Sequence, residues 1–376
     1  MSRKIDSRKH KILIIAGGTV NNLSVITNIN KIIKILKKLH NNVILVSYCG
    51  KNENIELNFD DVYSVPRFSS NLFDFLLAQF TILRYILKLK NQYDTILFAF
   101  GQDLLILPMI FSKIFGKKII IRTDGRPSII LKKYFKNSSR IKIYLFEIIE
   151  KFNYSISDTV LTECEFMISE NNLNKYNNIN IGSLFIDEKI FNKFKPFNNR
   201  EIDIGYIGRF HNEKGIAELM LAISDLILKY PDLKILLGGG GELFLPIKKE
   251  IEKKSFSDRI FIKEWITQDQ LPNFLNNIKL LILPSYKEGL PNIILESMGC
   301  GTAVLATPVG GIPGVILDGK TGYIMDNNTP ECIVENVKRA LTSPELEEIA
   351  ENGRRFVLDR FSFDNVVQNW GRILEE

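Results

Sequence analysis

The chain has 376 residues, of which 45% are hydrophobic and 24% charged, with 49 Lys and Arg against 43 Asp and Glu. This length and apolar content are typical of a soluble protein of about two domains and exclude an intrinsically disordered chain. No stretch reaches about 18 uncharged apolar residues, because Gln102 and Asp103 interrupt the most apolar region, so the sequence predicts no transmembrane helix.

The first residues, MSRKIDSRKHKILIIAGG, are basic and then briefly apolar. The run ILIIA is far shorter than the core of a signal peptide, and it ends in two glycines rather than in a cleavage site of small residues. We therefore expect a cytoplasmic protein, with any membrane contact peripheral, and we assign this run to the first strand.

Short β-branched apolar runs alternate with longer amphipathic runs through the first half, a pattern that predicts βα units around a parallel sheet. In order, the predicted segments are KILIIAG, a helix over 24–40, NVILVSY, a helix over 71–90, DTILFAF, a helix over 103–115, KKIIIRT, a helix over 138–153, SDTVLTE with a short helix after it, and INIGSLFI. The polar stretch DEKIFNKFKPFNNREID then predicts a domain boundary near 195–200.

The second half repeats this alternation and predicts a second doubly wound sheet. In order, the segments are DIGYIG, a helix over 214–229, KILLGGG, a helix over 242–254, RIFIKEW, a helix over 268–276, KLLILP, a helix over 291–299 and AVLAT, followed by helices from Pro330 onward.

We therefore expect an α/β fold of two Rossmann-like domains, residues 1–197 and 198–359, with a C-terminal helix at about 360–376 that packs back onto the first domain. Two such domains in tandem face a central cleft, where the carboxyl ends of strands and the N-termini of helices conventionally bind ligands. The sequence leaves the oligomeric state open.

The net charge of +6 is divided unevenly between the two halves. Residues 1–200 carry 30 Lys and Arg against 17 Asp and Glu, a charge of +13, whereas residues 201–376 carry 19 against 26, a charge of −7. A basic half attracts anionic lipid or an anionic acceptor; the alternative is a solvated basic surface in a chain rich in Lys, Asn and Ile. Nucleic acid is not expected as a partner, because the basic residues are dispersed and accompany no known binding motif.

The predicted helices over 71–90 and 138–153 carry Phe, Leu and Ile at helical spacing, together with Lys and Arg. This pattern predicts packing against the core first and contact with a membrane surface second.

Four cysteines, Cys49, Cys164, Cys300 and Cys332, lack C-x-x-C spacing, and the chain has only three histidines. This pattern does not predict a structural zinc site or a disulfide framework. We expect no bound metal and no cofactor.

The stretch GRFHNEKG, residues 208–215, follows a predicted strand and precedes a predicted helix. Arg209 and Lys214 flank the loop, so two cations and the N–H groups of the helix N-terminus can converge on one spot, which suits a phosphate. Taken alone, the stretch is explained more simply by Arg and Lys side chains solvated at a turn. We interpret His211 as a partner within the loop rather than as a catalyst.

The stretch KEGLPNIILESMGCG, residues 287–301, places Glu288 in a loop and Glu296 inside an apolar run. Pro291 suits the first turn of a helix, which would put Glu296 on the second turn. A buried carboxylate is costly unless something binds it, and carboxylates accept hydrogen bonds from vicinal hydroxyls. The two acids therefore predict contacts with different sugar rings of one elongated ligand; the alternatives are a solvated loop acid and a helix-dipole acid.

Together these motifs resemble those of the retaining GT-B glycosyltransferases of family 4. The resemblance rests on E-x7-E from Glu288 to Glu296 with GLPN after the first Glu, on GCGTAV, TPVGGIPGVI and DGKTGYI, and on GRFHNEKG upstream. It covers the second half closely and the first half in layout.

The resemblance implies how the donor is held. The residue matching Glu288 contacts the hydroxyls of the donor sugar, and the residue matching Glu296 holds the ribose of the nucleotide. Backbone groups of the intervening loop assist, and the matching residues are Gly289, Leu290, Pro291 and Asn292.

The resemblance also implies how the leaving group is stabilised. Residues matching Arg209 and Lys214 neutralise the pyrophosphate, and the loop matching Gly17 and Gly18 lets the backbone of the acceptor domain approach the same phosphates. Departure of the nucleoside diphosphate is the bottleneck, because negative charge grows on it. The other common architecture uses a metal bound by D-x-D, which this chain lacks. Arg209, Lys214 and the helix dipole are therefore predicted to act without a metal.

One departure from the family pattern lies in the first half. The family commonly has His-Asp followed shortly by Pro, and here the stretch is RTDGRPS, with Thr123 in place of the His. Asp124 is the candidate catalytic residue on the acceptor side, and its alternative role is to cap a helix or turn. Arg122 and Arg126 flank it and are candidates to meet an acceptor phosphate or carboxylate.

We predict a glycosyltransferase that moves a sugar from a nucleotide-sugar to a saccharide or lipid-linked acceptor in surface polysaccharide or glycoconjugate assembly, in the cytoplasm or at the inner face of the membrane. The alternatives are a nucleotide-sugar epimerase of the same architecture, a hydrolase, for which a cationic pocket is superfluous, and a degenerate sugar-nucleotide-binding scaffold. The sequence does not fix the donor base, the sugar or the acceptor. We expect the base to lie against backbone and apolar groups near 263–268.

Overall fold

The computed structural model describes residues 11–17, 23–47, 61–65, 72–135, 139–182, 184–254, 256 and 258–375. The chain forms two compact units, residues 1–184 with 366–376 and residues 185–365.

The boundary between the units lies at 184/185, earlier than the predicted 197/198. The segment after residue 184 belongs to the second unit because Phe191 and Phe197 are buried, at 3% and 5% exposure. The Asn276 side chain also holds this segment, since its Oδ1 accepts the Phe194 N–H at 3.0 Å. The polar composition of the segment suggested a linker, but its aromatic residues decide where it packs.

In the described part of the first unit, seven parallel strands form one sheet. They are β1 (Lys11–Ala16), β2 (Asn42–Ser47), β3 (Asp61–Ser64), β4 (Thr95–Ala99), β5 (Lys118–Arg122), β6 (Thr159–Thr162) and β7 (Ile179–Ile181). Their order across the sheet is β3-β2-β1-β4-β5-β6-β7. The central strands are buried on both faces, so their sequences are continuous apolar runs rather than alternating ones.

The first unit also contains α1 (Leu23–Lys38), α2 (Leu72–Leu89), α3 (Ile106–Ile114), α4 (Pro127–Tyr134), α5 (Arg140–Ile156) and α6 (Glu165–Glu170). Helices α2, α3 and α5 pack on the same face of the sheet, where Ile82, Met109 and Tyr154 share one core with Leu13 and Ile15.

In the described part of the second unit, six parallel strands form a sheet in the order β10-β9-β8-β11-β12-β13. The strands are β8 (Ile202–Ile207), β9 (Ile235–Gly238), β10 (Ile260–Lys263), β11 (Ile278–Leu283), β12 (Ala303–Ala306) and β13 (Tyr323–Ile324). The helices are α7 (Ile216–Lys229), α8 (Phe244–Lys253), α9 (Leu271–Asn277), α10 (Asn292–Gly299), α11 (Pro330–Leu341), α12 (Leu346–Phe361) and α13 (Phe363–Glu375). Among the residues described in the two units, no helix is both long and apolar enough to cross a bilayer.

The last helix, α13, starts in the second unit, and its residues from 366 onward group with the first. Trp370 is fully buried there, and its Nε1 donates to the Gly182 carbonyl oxygen at 2.6 Å. The Asn369 Nδ2 donates to the Ile181 carbonyl oxygen. The end of α13 is therefore an integral part of the first unit.

The strand order reverses at one point in each sheet. In the first unit β1 pairs with both β2 and β4, and in the second unit β8 pairs with both β9 and β11. In doubly wound sheets, the loops that leave the strands at such a switch point diverge and open a crevice that binds ligands. Candidate sites therefore follow β1 and β4 in the first unit and β8 and β11 in the second.

Two elements, β3 and α4, were not predicted from the sequence. Strand β3 has four residues, too few to show a period. Helix α4 begins at Pro127, and its N-terminus is capped from α5, because the Ser128 N–H and Oγ–H both donate to the Glu150 carboxylate at 2.6 Å. A cap that comes from a distant residue leaves no local signature.

Candidate functional site

Lys214 lies at the carboxyl end of β8, in the turn that leads into α7. The turn Asn212–Lys214 ends at Gly215, whose φ of 67° is in the left-handed region. A Cβ on Gly215 would lie 1.9 Å from the Pro284 carbonyl oxygen, which follows β11. The glycine therefore lets the two loops at the switch point touch, which brings Lys214 over the end of β11.

Lys214 contacts Glu288 directly. Its Nζ lies 2.7 Å from the Glu288 Oε1 and 2.8 Å from the Oε2. The Ser285 Oγ–H also donates to the Glu288 Oε1, at 2.8 Å. The Lys214 and Glu288 side chains are largely buried, at 18% and 10% exposure. Lys214, which was predicted to bind phosphate, and Glu288, which was predicted to bind sugar hydroxyls, therefore form one ion pair. A single bound molecule can contact both side chains.

Arg209 faces a different acid in the same loop. Its Nη2 lies 2.5 Å from the Glu213 Oε1, and both side chains are about half exposed, at 50% and 42%. The Tyr206 hydroxyl donates to the Arg209 carbonyl oxygen at 2.7 Å, and burial keeps the pKa of Tyr206 well above its ordinary value. The His211 Nδ1 accepts the Glu213 N–H at 3.4 Å, which places this histidine within the loop structure.

The loop that carries Glu288 is supported by the loop that follows β12. The Gly311 N–H donates to the Gly289 carbonyl oxygen at 2.7 Å. Gly310 has a φ of 59°, and a Cβ there would lie 2.2 Å from the Glu288 carbonyl oxygen and 2.4 Å from that of Gly289. Leu290, another residue of the predicted donor loop, is buried. The TPVGG motif therefore sets the backbone position of Glu288.

Glu296 lies on the buried side of α10, at 4% exposure. The helix begins at Asn292 with Pro291 as its N-cap, one residue later than predicted. The Gln268 Nε2 donates to the Glu296 Oε1 at 3.4 Å. This contact places the Glu296 carboxylate beside the segment 263–268, the expected position of the nucleobase.

Trp265 belongs to the same segment, and the sequence did not predict a role for its ring. Its φ of 47° is rare for a bulky residue, and its side chain is 55% exposed. The indole lies against Gly240, where a Cβ would be 2.4 Å from the Trp265 Cε2. A Cβ on Gly239 would lie 1.9 Å from the Gly208 carbonyl oxygen. The glycine run thus permits close packing, and it leaves an aromatic face on which a base can stack.

The prediction for two arginines beside Asp124 is wrong. Arg122 is fully buried, with its Nη1 2.6 Å from the Asp124 Oδ1 and its Nη2 2.7 Å from the Glu163 Oε1. The Arg126 side chain is 6% exposed, and its Nε lies 2.9 Å from the Glu150 Oε2. Neither guanidinium can meet an acceptor anion, because each is buried against carboxylates. The Asp124 side chain is 44% exposed, and the cap of α4 comes from Glu150 rather than from Asp124.

Gly17 lies at the carboxyl end of β1, at the switch point of the first unit. Its N–H donates to the Ala99 carbonyl oxygen at 3.0 Å. A Cβ on Gly17 would lie 2.0 Å from the Gln102 Nε2 and 2.2 Å from the Phe100 carbonyl oxygen. Glycine is therefore required for the loops after β1 and β4 to approach each other. Gly18 lies outside the described residues.

A buried acid that the sequence analysis did not assign follows β4. Asp103 is 2% exposed, and its Oδ2 accepts the Tyr154 hydroxyl at 2.7 Å. Burial raises the pKa of Asp103 to about 6, against the opposing hydrogen bonds from Tyr154 and Thr123. The signal was present, since Asp103 interrupts an apolar region directly after a predicted strand. A buried carboxyl group with a raised pKa at a switch point is a candidate functional residue.

The loops after β8 and β11 suit an anionic ligand that carries hydroxyls. The Lys214 ammonium has three donors and the Arg209 guanidinium has five, so their carboxylate contacts leave donors for a phosphate. The N–H groups at the start of α7 add partial positive charge. Among the described residues, no group of three or more His, Cys, Asp or Glu side chains could hold a metal ion; whether the reaction uses one stays a prediction.

Comparisons with known sequences match part of the chain to a family. Residues 187–356 match the family described as Glycosyl transferases group 1. An uncharacterised glycosyltransferase of Methanocaldococcus jannaschii is 27% identical over 68% of this chain and 68% of its own length. The capsular polysaccharide biosynthesis glycosyltransferase CapM of Staphylococcus aureus is 27% identical over 58% of this chain and 61% of its own length.

Comparisons with solved structures identify the fold. Sucrose-phosphate synthase from Thermosynechococcus elongatus matches with a TM-score of 0.77 and 18% identity over 98% of both chains. Anabaena HepE in complex with UDP and glucose matches with a TM-score of 0.73 and 15% identity over 97% of this chain and 99% of its own. The protein therefore has the GT-B fold, as predicted.

With this fold and the family match, the predicted class of enzyme is confirmed. Residues 187–356 are similar to glycosyl transferases group 1, and the chain is a glycosyltransferase of class EC 2.4.

Proposed function

We propose that the chain is a retaining glycosyltransferase that uses a nucleotide-sugar and needs no metal. The observation that carries the proposal is the contact between Lys214 and Glu288 at the switch point of the second unit. This contact places a cation for a diphosphate beside an acceptor for sugar hydroxyls, the two groups that meet in a nucleotide-sugar.

The donor would lie along the carboxyl ends of the strands of the second unit. Its base would stack near Trp265, its ribose would bind Glu296, and its diphosphate would meet Arg209 and Lys214. The donor sugar would then reach Glu288. Uridine is the first candidate for the base, since the structurally similar Anabaena HepE was solved with UDP and glucose.

In this proposal, stabilisation of the leaving group supplies most of the catalysis. As the bond from the anomeric carbon to the diphosphate breaks, its electron pair stays with the leaving oxygen. The acceptor hydroxyl attacks from the same face and gives its proton to that oxygen. Lys214 and Arg209 are proposed to contact the diphosphate, on which negative charge would grow, and preorganised charges of this kind are commonly the largest catalytic term.

Glu288 is assigned to orientation of the donor rather than to nucleophilic attack. Both of its oxygens accept from Lys214, and one also accepts from the Ser285 hydroxyl. A carboxylate held in this way is a rigid acceptor for sugar hydroxyls. The proposal therefore includes no covalent enzyme intermediate.

We infer a saccharide or lipid-linked acceptor, used in the assembly of polysaccharide or glycoconjugate at the inner face of a membrane. The name of the similar CapM protein refers to capsular polysaccharide biosynthesis. The charge of +13 in residues 1–200 favours an anionic acceptor or anionic lipid. Asp124, which follows β5 and is part exposed, is the proposed contact for the acceptor.

Calorimetric titration with UDP, GDP and ADP tests the donor site, first with EDTA and then with magnesium. We expect micromolar binding of one nucleotide, equal in both buffers, and its loss in Arg209→Ala. The matched control is Arg355→Ala, which removes the same charge from an exposed position on α12. Binding that needs magnesium, or that survives Arg209→Ala unchanged, would refute the proposal.

A further inference from the structure

Helix α5 packs on the core through Tyr154, but it also buries two polar residues and leaves several apolar side chains exposed, unlike a helix whose whole apolar face packs on a core. The residues of α5 that are buried are Glu150, Asn153 and Tyr154. Five of its apolar side chains are exposed, by 72% at Ile141, 64% at Tyr144, 52% at Leu145, 47% at Ile148 and 39% at Phe152, whereas its other four Ile and Phe side chains are partly buried. We call these five residues the α5 stripe.

Hydrogen bonds fix the rotation of α5 about its axis. The buried Glu150 carboxylate accepts from Arg126 at 2.9 Å and from Ser128 at 2.6 Å. The Asn153 Nδ2 donates to the Asp103 carbonyl oxygen at 2.7 Å. Turning the α5 stripe inward would break these contacts and leave a buried charge without a partner, which is strongly unfavourable. The exposed apolar surface is therefore a fixed property of the fold.

The α5 stripe is narrow and is bordered by basic residues. At about 100° per residue its members span about 100° of arc, over a length of about 16 Å. Arg140, Lys142 and Lys151 are exposed and lie about 70–110° from the middle of the stripe, where one exposed acid, Glu147, also lies. Residues 127–156 contain six basic and two acidic residues, and one of the acids, Glu150, is buried.

The neighbouring helices on the same face of the sheet also carry exposed apolar side chains. Helix α3 contacts both α2 and α5. Exposed apolar side chains on α2 and α3 are Leu76, Leu77, Phe80, Leu87 and Ile114. The face as a whole thus offers more apolar surface than the isolated residues common on soluble proteins.

We propose that α5 docks the first unit on an anionic lipid bilayer, with the helix parallel to the membrane plane. The α5 stripe would enter the boundary between headgroups and acyl chains, and the basic borders would meet the lipid phosphates. A second copy of the chain fits less well, because a two-fold contact would bring the basic borders together. The inference rests on the membrane association in the proposed function, and it assigns that association to one helix.

Co-sedimentation of the full chain with vesicles tests the assignment. The vesicles are phosphatidylcholine alone and phosphatidylcholine with about 30% phosphatidylglycerol. We expect the wild type to bind the anionic vesicles at least about tenfold better than the neutral ones, and Leu145→Glu/Ile148→Glu to lose about tenfold or more of that binding. The matched control, Leu221→Glu/Leu228→Glu, changes two exposed leucines on α7 of the second unit and should bind as the wild type does.

A charge variant separates the two contributions. In Arg140→Gln/Lys142→Gln/Lys151→Gln, the preference for anionic over neutral vesicles should be lost, because each basic residue near an anionic surface contributes up to about fivefold. Circular dichroism and nucleotide binding by calorimetry check that each variant is folded, which we expect because the changed side chains are exposed.

Each other outcome identifies a different failure. Equal vesicle binding by the wild type and by Leu145→Glu/Ile148→Glu would place docking elsewhere and overturn the assignment to α5. No vesicle binding by the wild type would overturn the membrane association itself and leave the donor site untouched. A dimer that Leu145→Glu/Ile148→Glu dissociates, without vesicle binding, would show that a second copy covers the α5 stripe.

Discussion

Replacing Gly310 with alanine is expected to displace the backbone of Glu288. The new Cβ would lie 2.2 Å from the Glu288 carbonyl oxygen, whereas ordinary contacts begin at 3.4 Å, so this backbone must move by about 1.2 Å. A displacement of about 1 Å at a catalytic site costs on the order of 100-fold in rate, or about 2.7 kcal/mol. We therefore expect kcat/KM for the donor to fall by roughly 100-fold in Gly310→Ala.

Gly319→Ala is the matched control. Gly319 has a φ of 67°, close to the 59° of Gly310, and nothing lies within 4 Å of its added Cβ. Both variants share a left-handed alanine, worth about 1 kcal/mol of unfolding free energy, but only Gly310→Ala moves Glu288. The assay is release of nucleoside diphosphate from the donor found by calorimetry, with urea unfolding as the check on stability. Equal rates in the two variants would refute the role of the TPVGG loop.

Three further predictions concern charged groups. Lys214→Met should lower the free energy of unfolding, measured in urea, by about 2 kcal/mol, because it leaves the largely buried Glu288 carboxylate without its cation. Adding Glu288→Gln should restore about half of that loss. A double variant no more stable than Lys214→Met would contradict this prediction. Because burial raises the pKa of Asp103 from 3.8 to about 6, its contribution to stability is greatest below about pH 4, falls by about 3 kcal/mol between about pH 4 and pH 6, and is constant above that range. Asp103→Asn should remove that fall, and an unchanged difference in stability between pH 4 and pH 7 would exclude Asp103 as its source. Glu213→Gln should tighten binding of the diphosphate by up to about fivefold in calorimetry, because the Glu213 carboxylate forms a half-exposed ion pair with the Arg209 guanidinium that the diphosphate would use. Unchanged or weaker binding would show that Glu213 does not compete with the diphosphate for Arg209.

Much of the fold was predictable because it depends on local periodicity. Alternating apolar and amphipathic runs fix which segments become strands and helices, and parallel strands buried on both faces leave continuous apolar sequences. The grouping of Lys214 with Glu288 came from the motif pattern. They can touch because Gly215 has no Cβ and so fits against Pro284. In the sequence this packing is visible only as a single glycine, so it could not be predicted.

The wrong predictions involve partners far apart in the chain. Arg122 is buried because Glu163, 41 residues later, neutralises it, and no local pattern reveals this pair. Helix α5 was predicted to pack its apolar residues on the core first and to contact a membrane surface second, yet five of them are exposed, because Arg126 and Ser128 hold Glu150 inside. In both cases a buried ion pair overrides the preference that the hydrophobic pattern indicates.

The two tryptophans of the chain lie in different units, Trp370 in the first and Trp265 in the second. Trp370 is buried and hydrogen-bonded to a backbone carbonyl, whereas Trp265 is 55% exposed beside Gly240. A buried indole fluoresces at shorter wavelength than a hydrated one, so the emission of the native enzyme contains a separate component for each unit. A nucleotide that stacks on Trp265 will quench the red component and leave the blue one unchanged, and unfolding of the first unit alone will shift only the blue component. The unlabelled protein thus carries one optical reporter for donor binding and another for the integrity of the first unit.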